Sequence, residues 1–398
     1  MATQAIIEAP ATPSQTVPGQ TAVALSYLRA FVTLLVVAHH SAIVYMSMKI
    51  PHPASFTAQP RVWLMFPVAD PAGWPGFDLF FAWNDTFFMS LMFLISGVFV
   101  WPSLRRHGAS SFLRRRFLRV GLPFALSAAL LGPLMYLPAY LQSPTHAGLA
   151  EYWKVWLSLG NWPSGPTWFL WVLLGFDCLA GLCYLIAPRV IESFATIMGG
   201  MGTRPLRFFV ALVVLSQAAY LPLFWKFGPW APIIFGPFLV QGSKLLVYLL
   251  YFFVGAGLGI YGIDTGLFQR AGRLARRWPV WGVASMLFFG AWLASNALKK
   301  DQFAAVLFSF TCAATSVFVI ALFVRFVQRK NRIADNFSAN SYGIYLLHYV
   351  ILCWVQWVLL QFAAPAIVKG LTAFVCALAL SWAASSLMRK IPGIARVI

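Results

Sequence analysis

Charge is scarce in this sequence. Only 10% of its 398 residues are Asp, Glu, Lys or Arg, against roughly a quarter in ordinary soluble domains. Hydrophobic residues make up 60% and aromatic residues 17%, more apolar surface than a water-soluble fold can hide, so a soluble globular protein is excluded. Cysteine is also sparse and unpatterned. Cys178, Cys183, Cys312, Cys353 and Cys376 form no C-x-x-C pair and all fall in apolar runs, which indicates neither a disulfide framework nor a zinc site. They read as small packing residues, and no metal is expected. The first 22 residues lack Lys, Arg and any apolar stretch and hold three prolines. They do not make a signal peptide, which needs a basic start and an apolar core, and are expected to form a disordered cytoplasmic tail.

What is present is a series of apolar runs, each near the roughly 20 residues that cross a bilayer core as helix. We read ten, at 24–46, 78–101, 120–142, 166–187, 207–225, 244–262, 279–298, 304–324, 341–361 and 367–388. Strands of a membrane barrel would alternate apolar and polar residues in segments of about ten; these runs are longer and apolar all round. The expected fold is all-α, a polytopic membrane helix bundle of about ten transmembrane helices. Residues 23–390 form one transmembrane domain and 391–398 a second short cytoplasmic tail.

The basic residues set an orientation. Segments 102–119, 188–207, 263–278, 325–340 and the tail from Arg389 hold 20 of the Lys and Arg, and the alternate set of connections holds eight. Positive charge marks the cytoplasmic side, so both termini are expected there, in a cytoplasmic (inner) membrane. The formal charge of +19 needs no nucleic acid to explain it, because no soluble domain carries interleaved arginines and aromatics.

Within the first run, "YLRAFVTLLVVAHHS" (Tyr27 to Ser41) carries charge at one end and imidazoles at the other. Eleven residues at about 100° and 1.5 Å each bring His40 to within about 20° of the face of Arg29, some 16 Å along the axis. His39 points about 80° away. Ionisable groups at such depth suggest function or a partner. The bland alternatives are an arginine that snorkels to headgroups and packing histidines, most of all for His39.

Arg, ten residues, then His in the first span resembles the signature of the acyltransferase 3 family. Four further segments are similar in order: "FFMSLMFLISGVF" (Phe87 to Phe99), "FLRRRFLRVGLPF" (Phe112 to Phe124), "PTWFLWVLL" (Pro166 to Leu174) and "NSYGIYLLHYVI" (Asn340 to Ile351). The acidic residue the family often has before its second-span Phe-Phe is replaced by Met89 or Ser90, a departure similar to the branch acting on periplasmic glucans. The resemblance implies an integral membrane enzyme that moves an acyl group from cytoplasmic acyl-coenzyme A to a hydroxyl of an extracytoplasmic carbohydrate. Acetyl is the favoured group and succinyl the second. The partners implied are the lipid bilayer, acyl-CoA and the carbohydrate acceptor.

The chemistry needs a group that takes a proton from a sugar hydroxyl or attacks the thioester, and neutral imidazole does either near neutral pH. His40 is the catalytic candidate. Asp85, at nearly its depth in the second span, is expected to orient the imidazole as in a triad, or else to be a helix-end Asp bound to water or backbone. Guanidinium forks suit the phosphates of the donor, which makes Arg29, Arg116 and Arg119 candidate donor-binding residues; the bland reading of the cluster is positive-inside anchoring. His348, about seven residues inside the ninth span, either lines the donor path, polarises the thioester or bonds a neighbouring helix. Asp177, mid-span, must be paired or wet. Segments 47–77 and 143–165 carry Trp63, Trp74, Tyr152, Trp153, Trp156 and Trp162, flat faces that suit sugar rings or an interfacial belt. "GAGLG" (Gly255 to Gly259) reads as helix packing. The second functional class is a multi-pass transporter or flippase, which also buries Arg, His and Asp, although no internal repeat of the kind transporters show is visible.

Overall fold

A computed structural model describes residues 20–48, 55–59, 61–327, 329–395 and 397. The expected N-terminal tail lies outside these residues up to position 19, and residues 20–22 already belong to a helix. The chain runs α1 (Gln20–Ile43), α2 (Pro75–Asp85), α3 (Phe88–Val98), α4 (Val100–Arg116), α5 (Leu122–Leu126), α6 (Gly132–Gln142), α7 (Leu149–Ser158), α8 (Trp168–Ile186), α9 (Pro188–Met201) and α10 (Pro205–Phe227). A short antiparallel hairpin follows, β1 (Pro232–Phe235) with β2 (Phe238–Gln241), and then α11 (Leu245–Tyr261), α12 (Arg273–Arg276), α13 (Trp278–Ala297), α14 (Asp301–Phe326), α15 (Arg332–Leu359), α16 (Ala366–Met388) and α17 (Pro392–Ala395). Among the described residues ten helical stretches are long and apolar enough to cross a membrane, and the fold is an all-α polytopic bundle.

Three features depart from the sequence reading. The second span is broken between α2 and α3: the Thr86 hydroxyl and amide both turn back to the Trp83 carbonyl, at 2.7 and 3.3 Å, a local bond that competes with the helix ladder. The basic connection at 102–119 is mostly helix, bent at Gly108, whose φ of 73° only glycine takes up readily. The ninth span begins at Arg332, nine residues before the expected start at 341. Its first turns are polar, but the polar groups find partners: Ser338 with Ser26 at 2.7 Å, Asn336 with Trp382 at 2.8 Å and Asn340 with Ser385 at 2.9 Å.

Two carbonyls near prolines dictate how α15 docks. Just before Pro123 the helix widens into a π turn, Phe117–Gly121, whose Arg119 carbonyl accepts from the Tyr342 hydroxyl at 2.5 Å. A helical proline leaves the carbonyl four residues earlier without its donor. Pro138 thereby frees that of Leu134, which accepts from the Trp354 indole at 3.0 Å. Both donors lie on α15, so two carbonyls of the third span fix its height, and with it that of His348.

The expectation that Gly255 and Gly259 serve packing fits the geometry. A Cβ at either would overlap a backbone carbonyl of α3, Leu94 or Val98, and one at Gly97 would overlap the Phe252 carbonyl of α11. The two backbones touch, and only glycine permits it. At the His40 end of the bundle the segment before α2 is pinned by a buried ion pair between Asp70 and Lys369 at 2.7 Å, and the Gln142 amide bonds both the amide and the carbonyl of Ala69. Trp63, Tyr152 and Trp156 are core residues there, 2%, 1% and 3% exposed, so half of the six aromatics read as faces for sugar rings or as an interfacial belt are buried.

Candidate active site

Helix α1 carries both halves of the site. At one end Arg29 keeps accessible surface while crowded by protein atoms, as a residue lining a cleft does, and it lies within electrostatic reach of Arg116 and Arg119. The three expected donor-binding residues are therefore brought together. The carboxylate beside Arg116 is Asp177 on α8, fully buried and 3.1 Å from Arg116 Nε. The pair lacks hydrogen-bond geometry, and neither Asp177 oxygen has a hydrogen-bond partner among the described residues. Arg116 and Arg119 repel Arg29 across this end of the bundle, and a guanidinium cluster of this kind suits phosphate.

At the other end His40 meets His348. His40 Nδ1 lies 2.8 Å from the Val36 carbonyl and 3.3 Å from His348 Nε2, and His348 Nδ1 lies 2.7 Å from the Tyr345 carbonyl. A carbonyl only accepts, so each Nδ1 carries a proton. His348 Nε2 is then a bare acceptor for the His40 Nδ1–H, which it shares with Val36. His40 Nε2 keeps its lone pair and has no hydrogen bond among the described residues. His348 is fully buried while His40 is half-buried, so His40 is the member of the pair that a substrate can reach. The edge of Tyr349, with ring centroids 4.9 Å apart, and the His40 carbonyl, held by Gln356 Nε2 at 3.3 Å, fix the imidazole further.

Asp85 is not its partner. Asp85 Oδ2 pairs with Lys244 Nζ at 2.6 Å, and the same Nζ also donates to the Asp85 carbonyl at 3.2 Å. One residue is about 100° on a helix, and it is Asn84 that faces α1, its amide 3.3 Å from both the Leu35 carbonyl and His39 Nδ1. His39, stacked between Phe81 and Phe88 at 4.4 and 4.9 Å, is a packed, hydrogen-bonded histidine. The orienting role foreseen for Asp85 falls to the Val36 carbonyl and His348. Sequence reasoning missed Asn84 as well; the only signal for it was its place beside Asp85 in an otherwise apolar run. His348, on α15, bonds the neighbouring helix α1 through His40.

The arrangement offers an imidazole whose Nε2 is ready to accept a proton and whose Nδ1–H, once the ring is charged, faces two acceptors, the logic of a catalytic triad with histidine in the acid's place.

The family model described as an acyltransferase domain, that of the acyltransferase 3 family, matches residues 23–386. The chain is 29% identical over 178 residues to glucans biosynthesis protein C of Escherichia coli SMS-3-5 and to that of Escherichia coli O157:H7 strain EC4115, an overlap of 44% of this chain and 41% of each relative. The match thus spans about two fifths of the length of these curated relatives. No solved structure matches the chain.

Proposed function

The chain belongs to the acyltransferase 3 family, and from that membership we propose that it moves an acyl group from acyl-coenzyme A to a hydroxyl of a carbohydrate across the membrane. The observation that carries the reading is the division of α1: a cationic cleft at Arg29 and an oriented imidazole at His40, on one face and about 16 Å apart. Arg29, Arg116 and Arg119 hold the donor's phosphates, and an extended pantetheine arm spans the distance to His40.

In the transfer itself, His40 Nε2 takes the proton of the acceptor hydroxyl as its oxygen attacks the thioester carbonyl. The positive charge appears on His40 at that moment, and Nδ1–H, already bonded to Val36 and His348, stabilises it. When the tetrahedral centre collapses the carbon–sulfur bond breaks, the acyl group stays on oxygen, and the imidazolium proton goes to the departing thiolate. An acyl-histidine route uses the same free Nε2 as nucleophile.

The excess of basic residues at the Arg29 end puts that end in the cytoplasm by the positive-inside rule, so donor and acceptor enter from opposite faces of an inner membrane. Acetyl is the favoured acyl group, with succinyl second, and the name of the E. coli relatives directs the choice of acceptor to a glucan. The test uses purified protein in sealed, oriented vesicles. Acyl-CoA inside and glucan outside should give acylated glucan; product formed only with both on the cytoplasmic side refutes the reading, and glucan moved across the vesicle wall without acylation replaces it with transport.

A further inference from the structure

Near the His40 end, away from the outer aromatic segments, the bundle holds a cavity of about 140 Å³ between α10, α13, α14 and the hairpin. Its floor is the Lys244–Asp85 ion pair, with Lys244 only 4% exposed. Its walls are aromatic. The ammonium of Lys244 sits 5.7 Å from the Trp230 ring and 5.3 Å from that of Phe308, and Tyr220 stacks on Phe308 at 4.4 Å. Trp292 closes a side, and Asn296 and Asp301 stand at the exposed mouth where α13 turns into α14.

We infer that this cavity seats one sugar unit of the acceptor, next to the unit presented to His40; the inference rests on the carbohydrate acyl transfer proposed above. Two polar groups in it have hydrogen-bonding capacity to spare for a ligand. The Tyr220 hydroxyl makes no hydrogen bond among the described residues and is not one of the fully buried unpartnered groups, so it faces the cavity it lines and can bond what fills it. Asp85 uses Oδ2 on Lys244 and leaves Oδ1 without a partner among the described residues. An acceptor, a donor-acceptor hydroxyl and an ammonium with a spare proton converge on a space walled by rings, the mixture that suits a polyol with apolar C–H faces. A cationic ligand is disfavoured because the Lys244 ammonium already stands 5.7 Å from the Trp230 ring and 5.3 Å from that of Phe308. A phosphorylated one is drawn instead to the arginines at the far end. At about 140 Å³ the cavity falls well below the roughly 300–1,000 Å³ of a drug-sized site, which leaves no room for an oligosaccharide and limits the occupant to a single unit.

The position also fits. Asp85 follows Asn84, whose amide holds His39, and His39 lies within electrostatic reach of both Asp85 and Lys244. A unit held on the ion pair is therefore close to the His40 end of the site, with His39, whose ring centroid lies 5.5 Å from that of His40, between them.

The experiment uses the full chain in lipid nanodiscs and an unacylated glucose tetrasaccharide, with affinity measured by calorimetry in the absence of any acyl donor and acceptor KM measured in its presence. Tyr220→Phe should weaken binding roughly three- to tenfold and Trp230→Ala by more than about tenfold, each raising the acceptor KM while the donor KM stays. Phe303→Ala, an exposed ring on the outer side of α14, should change neither. Wild-type affinity in both cavity variants overturns the inference, as does absence of binding by the unaltered protein. So does a pattern in which the variants lower thermal stability and kcat but leave acceptor KM in place, which marks the ion pair as structural only. Because the calorimetry needs no donor, it decides the matter even if acyl transfer itself fails.

Discussion

Replacing His348 by leucine is the perturbation that best separates the two histidines. The change removes the acceptor 3.3 Å from His40 Nδ1 and leaves the Val36 carbonyl at 2.8 Å in place. In the resting enzyme the lost bond is neutral and shared, worth about 0.5–1.5 kcal/mol at most. In the transition state the same bond faces an imidazolium, and hydrogen bonds to charged groups contribute about 1.5–3 kcal/mol. A separation of 3.3 Å is longer than the usual 2.7–3.2 Å, so the lower end applies. At about 1.4 kcal/mol per tenfold, kcat should fall roughly tenfold, with both KM values nearly constant. His348→Gln, whose amide oxygen can accept in the same place, should recover much of the loss. The assay is acyl transfer in proteoliposomes at saturating donor and acceptor, with thermal midpoints to confirm folding. Unchanged kcat in a folded leucine variant refutes the orienting role. A loss as complete as that of His40→Ala would instead make His348 the base.

Two further outcomes follow from the same geometry. His40→Ala should abolish transfer and leave acyl-CoA binding intact, whereas Arg29→Ala should weaken donor binding by about 1.5–3 kcal/mol, roughly 12- to 150-fold; equilibrium binding of acyl-CoA beside single-turnover transfer separates them, and equal effects of both variants on binding would contradict the division of α1. Gly97→Ala should destabilise the bundle by about 1–3 kcal/mol, since its Cβ would overlap the Phe252 carbonyl; an unshifted thermal midpoint would show that α3 and α11 can part.

The spans were legible because a bilayer demands long apolar runs, and the Arg29–His40 alignment because both residues share one helix, where spacing is geometry. Whatever depended on a second helix was not. Asp85 and His40 have compatible depths, but rotation about α2 decides the partner, and one residue's turn gives α1 an asparagine instead of a carboxylate. The reach of α15 was hidden by Asp335, Asn336, Ser338 and Asn340, which look like a loop until Ser26, Trp382 and Ser385 are seen to satisfy several of them. The break at Thr86 was equally silent, a hydroxyl bond with no mark in hydropathy. The aromatics of segments 47–77 and 143–165 had the right composition for sugar binding, but burial withdrew Trp63, Tyr152 and Trp156.

The contact of α3 with α11 has a genetic corollary. Where a glycine accommodates a neighbouring side chain, a mutation to a larger residue can be rescued by trimming that neighbour. At Gly97, Gly255 and Gly259 the obstacle is a carbonyl oxygen, which every amino acid possesses. No replacement of Phe252, Leu94 or Val98 makes room, so a screen for second-site suppressors should return true revertants or distant changes that stabilise the whole bundle, and none at the facing positions.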